Sequence, residues 1–313
     1  MRACVGRHAL VSRLAAHRAA RVALVVAAVA IAACAPAAPA ASAAGGSFTA
    51  ASATAPNDHA PSPAGTTASA SAIPRWRPAL GQTWQWQLAG LPVDLRVEAD
   101  IYDVDLFETP VEVVAELHAR GRHAICYLSA GSFEEWRPDA ELFPRELIGR
   151  AYAGWPGEWW LDIRGMEQLG PLLEARLDLC RAKGFDGVEA DNLDGYQAAT
   201  GFPLTAHDQL RFNRWLATEA HARGLSIGLK NDPEQVKELV DDFDWALLED
   251  CFAQGWCEAL APFAAQGKLV VAVEYTDSGV DWPDACSQAR RQGFSLVLKN
   301  RELDAWRGLC ADE

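Results

Sequence analysis

Long hydrophobic runs are scarce in this 313-residue chain: the longest, residues 22–33 (VALVVAAVAIAA), has twelve positions. About 20 are needed to cross a bilayer, so no ordinary membrane span is expected. Positive charge is scarce beyond the N-terminus. The first 74 residues hold five arginines and one acid, leaving 23 basic against 41 acidic side chains in residues 75–313, a formal −18. A domain this acidic repels phosphates and anionic head groups and attracts cations, which excludes nucleic acid as a partner. Histidine is scarce too. Past residue 74 only His118, His123, His207 and His221 occur, none at the end of an apolar run, which argues against a hydrolase built on metal-bound imidazoles. No G-x-S-x-G elbow, Walker-type loop or dinucleotide fingerprint is present. Neither a cofactor nor a metal is expected.

What is there begins with an export signal. Residues 1–21 are Arg-rich without an acid, and the apolar run that follows ends in Ile31-Ala32-Ala33-Cys34. This looks like a bacterial lipoprotein box, which predicts a signal peptide over 1–33 and lipidation at Cys34; an ordinary signal peptide cut later is the alternative. Of the 39 residues 35–73, 34 are Ala, Ser, Thr, Pro or Gly. Such a stretch builds no core and is expected to be a disordered tether with a reach of roughly 35 Å. The protein is therefore expected outside the cytoplasm, touching the membrane only through Cys34.

Residues 74–313 match the length of one (β/α)8 barrel. A helical pattern, a basic or amide residue, a Gly and an apolar run recur at Arg120-Gly121, Lys183-Gly184, Arg223-Gly224, Gln266-Gly267 and Gln292-Gly293. Gly ends a helix in the left-handed conformation, and a buried parallel strand follows as a continuous apolar run. Eight strands are predicted: 84–88, 95–102, 124–128, 187–190, 226–229, 245–248, 269–273 and 295–298. Helices are predicted at 111–119, 166–182, 207–222, 234–240, 258–265 and 284–291. The fold expected is a single (β/α)8 TIM-type barrel, with an opened barrel or doubly wound sheet as the alternative because the first crossover is too short for a helix.

Barrel chemistry sits at strand exits. These read Asp103 and Asp105; Ser129 to Ser132; Glu189, Asp191, Asn192 and Asp194; Lys230-Asn231-Asp232; Glu249-Asp250; Glu274-Tyr275; and Lys299-Asn300. Asp232-Pro233-Glu234 reads as a helix start, which assigns Asp232 to capping. Glu189 inside an apolar strand is harder to dismiss, since a buried carboxylate needs a partner, and Lys230 or Lys299 is a candidate. By alternation Glu189 and Asp191 face the same way. Two carboxylates facing one bond are the minimal equipment for glycosidic hydrolysis, one ionised and one protonated. The apolar run before Glu249 predicts a partly desolvated, protonated acid there.

The long loop after the third strand carries Phe133, Trp136, Phe143, Tyr152, Trp155, Trp159 and Trp160, and Trp84 and Trp86 lie on the first strand. Most would pack the loop, yet aromatic rims beside acids also suit sugar rings. Six cysteines remain in the domain. Cys251–Cys257 and Cys286–Cys310 are the favoured disulfides, which leaves Cys126 and Cys180 as a third bridge or a buried free pair.

The strings Trp84-Gln-Trp-Gln-Leu88, Ile101-Tyr-Asp-Val-Asp105, Cys126-Tyr-Leu-Ser-Ala-Gly131, Trp160-Leu-Asp-Ile-Arg164, Asp186-Gly-Val-Glu-Ala-Asp-Asn192, Gly228-Leu-Lys-Asn231 and Leu298-Lys-Asn300 fall in order on successive strands. Together they resemble glycoside hydrolase family 114, the endo-α-1,4-polygalactosaminidases. The resemblance implies cleavage of α-1,4-linked galactosamine polymers in exopolysaccharide, with Asp191 as nucleophile and Glu249 as acid/base. It also implies subsites formed by Asp103, Tyr127, Lys230, Asn231, Glu274 and Asn300, to which the strand-exit reading adds Trp86, Glu189, Asn192 and Asp194. In Leu248-Glu249-Asp250-Cys251, Leu248 replaces a polar residue common in the family. A monomer acting on a cationic polysaccharide is expected. A non-catalytic polysaccharide-binding lipoprotein, or a glycosidase for another amino-sugar or galactoside polymer, is the alternative.

Overall fold

Short alternating runs, rich in Val, Ile, Leu and Trp, become the staves of a barrel. The computed structural model describes residues 74–311; the expected signal peptide, Cys34 and the whole linker to residue 73 lie outside the described residues. In chain order the strands are β1 (Trp84–Gln87), β2 (Ile101–Asp105), β3 (His123–Ser129), β4 (Ser132–Glu134), β5 (Ile148–Ala151), β6 (Glu158–Leu161), β7 (Gly187–Asp191), β8 (Ser226–Lys230), β9 (Trp245–Glu249), β10 (Val270–Tyr275), β11 (Ser295–Lys299) and β12 (Arg307–Leu309). The helices are α1 (Val111–Ala119), α2 (Met166–Lys183), α3 (Ala206–Ala222), α4 (Val236–Leu239), α5 (Cys251–Gln254), α6 (Ala261–Ala265) and α7 (Trp282–Gln292). Among the described residues no helix is long and apolar enough to cross a membrane.

The main sheet runs β1-β2-β3-β7-β8-β9-β10-β11-β12, parallel except for the last pair. The eight predicted strands are all present. Closure differs from a plain eight-stranded ring. Between β11 and β1 lies the C-terminal segment, with β12 antiparallel to β11 and the Leu303 carbonyl accepting from Leu88 N at 2.8 Å and Ala89 N at 3.1 Å.

Alternation divides the apolar residues into two cores. Inward positions (Trp84, Trp86, Ile101, Ile125, Tyr127, Trp245, Leu247, Val271, Val273 and Val297 among them) form one cluster, and outward positions pack with the helices in another. The interior is a filled core rather than a pore. Gly228 makes room for it: a Cβ there would lie 2.4 Å from the Trp245 ring.

Two predicted elements move. The second strand is β2, not 95–102, because the carbonyls of Leu95 and Val97 are taken by the Arg122 guanidinium at 2.9 and 3.1 Å rather than by a neighbouring strand. Asp103 and Asp105 therefore lie inside a strand. The helix predicted at 258–265 is a 3-10 turn (Cys257–Leu260) followed by α6. The long loop after β3 folds into its own antiparallel sheet, β4-β6-β5. All three cysteine pairs are bridged, Cys126–Cys180 included.

Three of the four histidines among the described residues sit at the floor of the barrel, and His207 lies in the first turn of α3. His118 and His123 meet Asp186 at 2.9 and 3.4 Å, and His221 meets Asp244 at 2.8 Å. Arg75 and Arg77 close on the same Asp244 at 3.0 and 2.8 Å, and Trp76 stacks on His123. The described chain thus enters the barrel at the face opposite the strand exits.

Candidate active site

At the exits of β7, β8 and β9 three side chains converge on one ammonium. Lys230 Nζ lies 2.9 Å from Glu189 Oε1, 2.9 Å from Asp191 Oδ1 and 3.1 Å from Glu249 Oε2. Strand period explains the grouping: Glu189 and Asp191 share the inward face of β7, and Lys230 and Glu249 end the next two strands. Glu189 and Lys230 are sealed at 1% side-chain exposure, whereas Asp191 and Glu249 are open at 20% and 28%. The two open carboxylates are the ones a ligand can reach.

Burial alone would strip the Lys230 ammonium of its proton, but Asp191, Glu189 and Glu249 outweigh it and hold the group well above the ordinary lysine value. The ring of Trp86 lies 4.8 Å from Nζ. Two phenols complete the pair. Tyr127 OH donates to Asp191 Oδ2 at 3.0 Å, and Tyr275 OH donates to Glu249 Oε1. Burial and the adjoining carboxylates push both phenols well above the ordinary tyrosine value, so both remain donors. The backbone supplies the rest: Asn192 N donates to Asp191 Oδ1 at 2.8 Å, and Glu249 N donates to Asn231 Oδ1 at 3.0 Å. The expected apolar setting of Glu249 is thereby corrected, since an ammonium and a phenol adjoin its carboxylate.

The other sequence-predicted residues divide by depth. Asn192, Asp194, Asn231 and Asn300 stand at the mouth, with Asn300 Nδ2 reaching Asp304 at 3.2 Å. Burial, reinforced by Asp191, raises the Asp194 carboxyl to about 6. Trp86, Asp103 and Glu189 lie beneath the mouth, at 0–1% exposure, so they act on it through Lys230 and the barrel interior. Glu274 faces outward from β10 and accepts from Phe252 N at 2.7 Å and Ala253 N at 3.3 Å, bracing the α5 turn behind Glu249. Lys299, the other candidate partner of Glu189, instead donates to the Asp304 carbonyl at 2.7 Å. Asp232 does not cap a helix. It takes a left-handed φ of 49° and accepts from Asn213 and Tyr196, while α4 starts four residues later.

The sequence places Tyr275 at a strand exit without assigning it a role, and it leaves Glu158 and the inserted sheet that carries Glu158 unforeseen. Alternation along β10 signals the first, since Val271, Val273 and Tyr275 share the inward face that Glu274 leaves. Nothing local signals Glu158. A possible ligand cluster of Cys251, Cys257 and Glu274 is disqualified as a metal site because its two sulfurs are bonded to each other.

Asp103 has no hydrogen-bond partner on either oxygen. Burial, then the Glu189 charge, push its carboxyl well above the ordinary aspartate range, so it holds a proton in the fold. A carboxyl raised by folding adds stability below its unfolded pKa, and that stability is lost as pH climbs toward the folded value. Asp103→Asn, which never ionises, is expected to gain on the native chain by up to ~1.4 kcal/mol per pH unit above the ordinary aspartate pKa. Denaturant unfolding at acidic and mildly alkaline pH measures this; a difference that does not change with pH would mean Asp103 is ionised in the fold.

The chain is similar to several known proteins. The crystal structure of Aspergillus fumigatus Ega3 in complex with galactosamine is 39% identical, with a TM-score of 0.72, over 76% of this chain and 98% of that one. The glycoside hydrolase domain of PelA from Pseudomonas aeruginosa, 18% identical with a TM-score of 0.58 over 72% and 98% of the two chains, shares the fold. An uncharacterized protein of Deinococcus radiodurans is 27% identical over 267 residues, covering 74% of this chain and 85% of its own. The family described as Glycoside-hydrolase family GH114 matches residues 65–313. A barrel whose mouth holds two exposed carboxylates on one buried ammonium, matched by this family over its whole length, identifies the chain as a glycoside hydrolase and a member of glycoside hydrolase family 114.

Proposed function

We propose that this enzyme hydrolyses α-1,4-linked galactosamine-containing exopolysaccharide with retention of anomeric configuration, Asp191 serving as nucleophile and Glu249 as acid/base. The observation that carries the mechanism is the shared ammonium. Two oxygens at 2.9 and 3.1 Å from one nitrogen are separated by no more than the sum, about 6 Å. Retaining pairs stand about 5–5.5 Å apart, and inverting pairs about 6.5–9.5 Å, with room for a water between carboxylate and sugar. For these two oxygens that bound lies below the inverting range, which supports the retaining geometry.

In the first step a proton passes from Glu249 to the glycosidic oxygen while Asp191 bonds to the anomeric carbon. Asp191 Oδ1 is occupied by Lys230 and the Asn192 N–H, so Oδ2, held only by Tyr127, is the oxygen free to attack. In the second step Glu249 takes a proton from water, and the hydroxide displaces Asp191. A polycation suits the mouth. The formal −18 of residues 75–313 draws it in, and Asp194, Asn231 and Asn300 stand where sugar amines and hydroxyls would meet them. The 39%-identical fungal structure holding galactosamine supports the same sugar. Export with a lipid on Cys34 fits this role, since a polymer of the exopolysaccharide lies outside the cytoplasm.

Digestion of matched polymers tests the reading. New reducing ends from a de-N-acetylated galactosamine polymer, faster than from its fully acetylated form and slower as salt rises, are expected. Proton NMR should show the α-anomer of the product first. Initial release of the β-anomer would refute retention, and equal rates on both polymers would remove the electrostatic selection. Polymer binding with no cleavage would favour a glycan-binding protein.

A further inference from the structure

Asn192 holds an unusual posture directly beside Asp191. Its φ is 65°, in the left-handed region, and this turn aims its own N–H at Asp191 Oδ1, 2.8 Å away. A non-glycine residue stays there only when its surroundings fix it. The backbone side is fixed by Gly131, where a Cβ would lie 1.8 Å from the Asn192 carbonyl oxygen, and by Ala130 N and Gly131 N, which donate to the Asp191 carbonyl at 3.1 and 3.2 Å.

The side-chain end is fixed by the last residue of β3 and by the inserted sheet. Asn192 Nδ2 lies 2.9 Å from Ser129 Oγ, 3.0 Å from Ser132 Oγ and 3.1 Å from Glu158 Oε1. Ser132 Oγ also donates to Glu158 Oε1, so one carboxylate oxygen gathers both groups. Glu158 opens β6, opposite Glu134 of β4, and neither strand belongs to the barrel.

We propose that Glu158 is a positioning residue for the reaction: it clamps the Asn192 amide so that the Asn192 N–H stays on the nucleophilic carboxylate of Asp191. The inference rests on the retaining reading above. It also gives the inserted sheet a task beyond covering the barrel, since Asp191 is correctly held only when β4 and β6 are paired. A buried carboxylate here is otherwise costly. Burial, with Asp191 and Glu134 adding to it against the hydrogen bonds of Ser132 and Asn192, raises Glu158 to about 7. The charged groups facing it are Asp191 of β7 and Glu134 of β4, itself paired with Arg137, and the Tyr127 phenol of β3 also faces it. Nothing positive pairs with Glu158 directly among the described residues, so its carboxyl is held by hydrogen bonds to the site rather than by a counter-ion.

Glu158→Ala is expected to lower kcat on the galactosamine polymer by about 10- to 100-fold with KM little changed, because misplacing a reacting group costs on that scale. Glu158→Gln keeps an oxygen for Asn192 and is expected to recover most of the loss. A crystal structure of Glu158→Ala should show the Asn192 amide turned and its N–H off Asp191. Unchanged kcat, a loss confined to KM, no recovery by Gln, or an undisturbed Asn192 would overturn the proposal. Should the Ala variant fail to fold, Ser132→Ala, which removes the hydroxyl that shares that oxygen with the Asn192 amide, is expected to show a smaller loss of the same kind. A wild-type enzyme inactive on every galactosamine polymer would instead defeat the functional reading, and the crystal structure would still decide the clamp.

Discussion

Glu249→Gln and Asp191→Asn are each expected to lower turnover on the polymer by about 10³-fold or more, with the fold and polymer affinity retained. Each swap replaces a carboxylate oxygen with an amide of nearly the same shape, so packing around the mouth is preserved. What is lost differs between the two. On the proposed mechanism, loss of Glu249 removes the proton donor to the leaving oxygen, and Tyr275, pushed well above the ordinary tyrosine value by burial, is too weak an acid to replace it. Loss of Asp191 removes the nucleophile, so no covalent intermediate forms. Steady-state kinetics on the polymer, with circular dichroism to verify folding and titration calorimetry to verify binding, measures both. Near wild-type turnover in either variant would remove that residue from the mechanism.

The second large effect is on stability. Lys230→Met fills a similar volume without charge and strands Glu189, Asp191 and Glu249 around a sealed, apolar stem. Breaking a buried ion pair by removing one partner costs about 3–5 kcal/mol. The cost must depend on pH, and the sign follows from linkage. In the native chain Lys230 is raised by folding, so its contribution is complete at neutral pH and is lost only as pH rises through the folded value. In the variant the buried Glu189 loses the ammonium that favours its charged form, so its carboxyl, already raised to about 8 by burial, rises further. Stability drains away as pH climbs from the ordinary carboxylate range toward that raised value. The variant should therefore lie nearest the wild type in acid and fall further behind toward pH 8. Denaturant unfolding at acidic and mildly alkaline pH checks this. A loss below about 1 kcal/mol, or one independent of pH, would show that Lys230 is not the counter-ion of the cluster.

The contrast between Glu189 and Asp103 shows how far residue order can be read as chemistry. An acid in an apolar strand signals a partner, and Lys230, 41 residues downstream at the end of the neighbouring strand, is that partner at 2.9 Å. Asp103 carries the same kind of signal, yet it has no hydrogen-bond partner among the described residues and lies below the mouth because the second strand starts six residues later than its apolar content suggests. Local hydrophobicity marks a buried segment but not whether its carbonyls go to a sheet or to Arg122.

By itself the sequence determined the barrel class, the order of the eight strands, five of the six main helices to within two or three residues, and the acids at the mouth. These follow from short-range periodicity and from glycines that end helices, both of which are local properties of the chain. Tertiary structure alone decided the wedge that closes the barrel between β11 and β1 and the pairing of the long loop into β4-β6-β5. It also decided the convergence of Glu189, Asp191 and Glu249 on one ammonium, and the hold of Tyr275 on Glu249 and of Glu158 on Asn192. The reason is physical: the contacts at the site join residues 19 to 41 positions apart and those of the wedge residues 215 apart, brought together only when the sheet curls round its filled interior. Which carboxylates stay open to a sugar and which are sealed is set by depth within that curl, a coordinate that no local pattern carries.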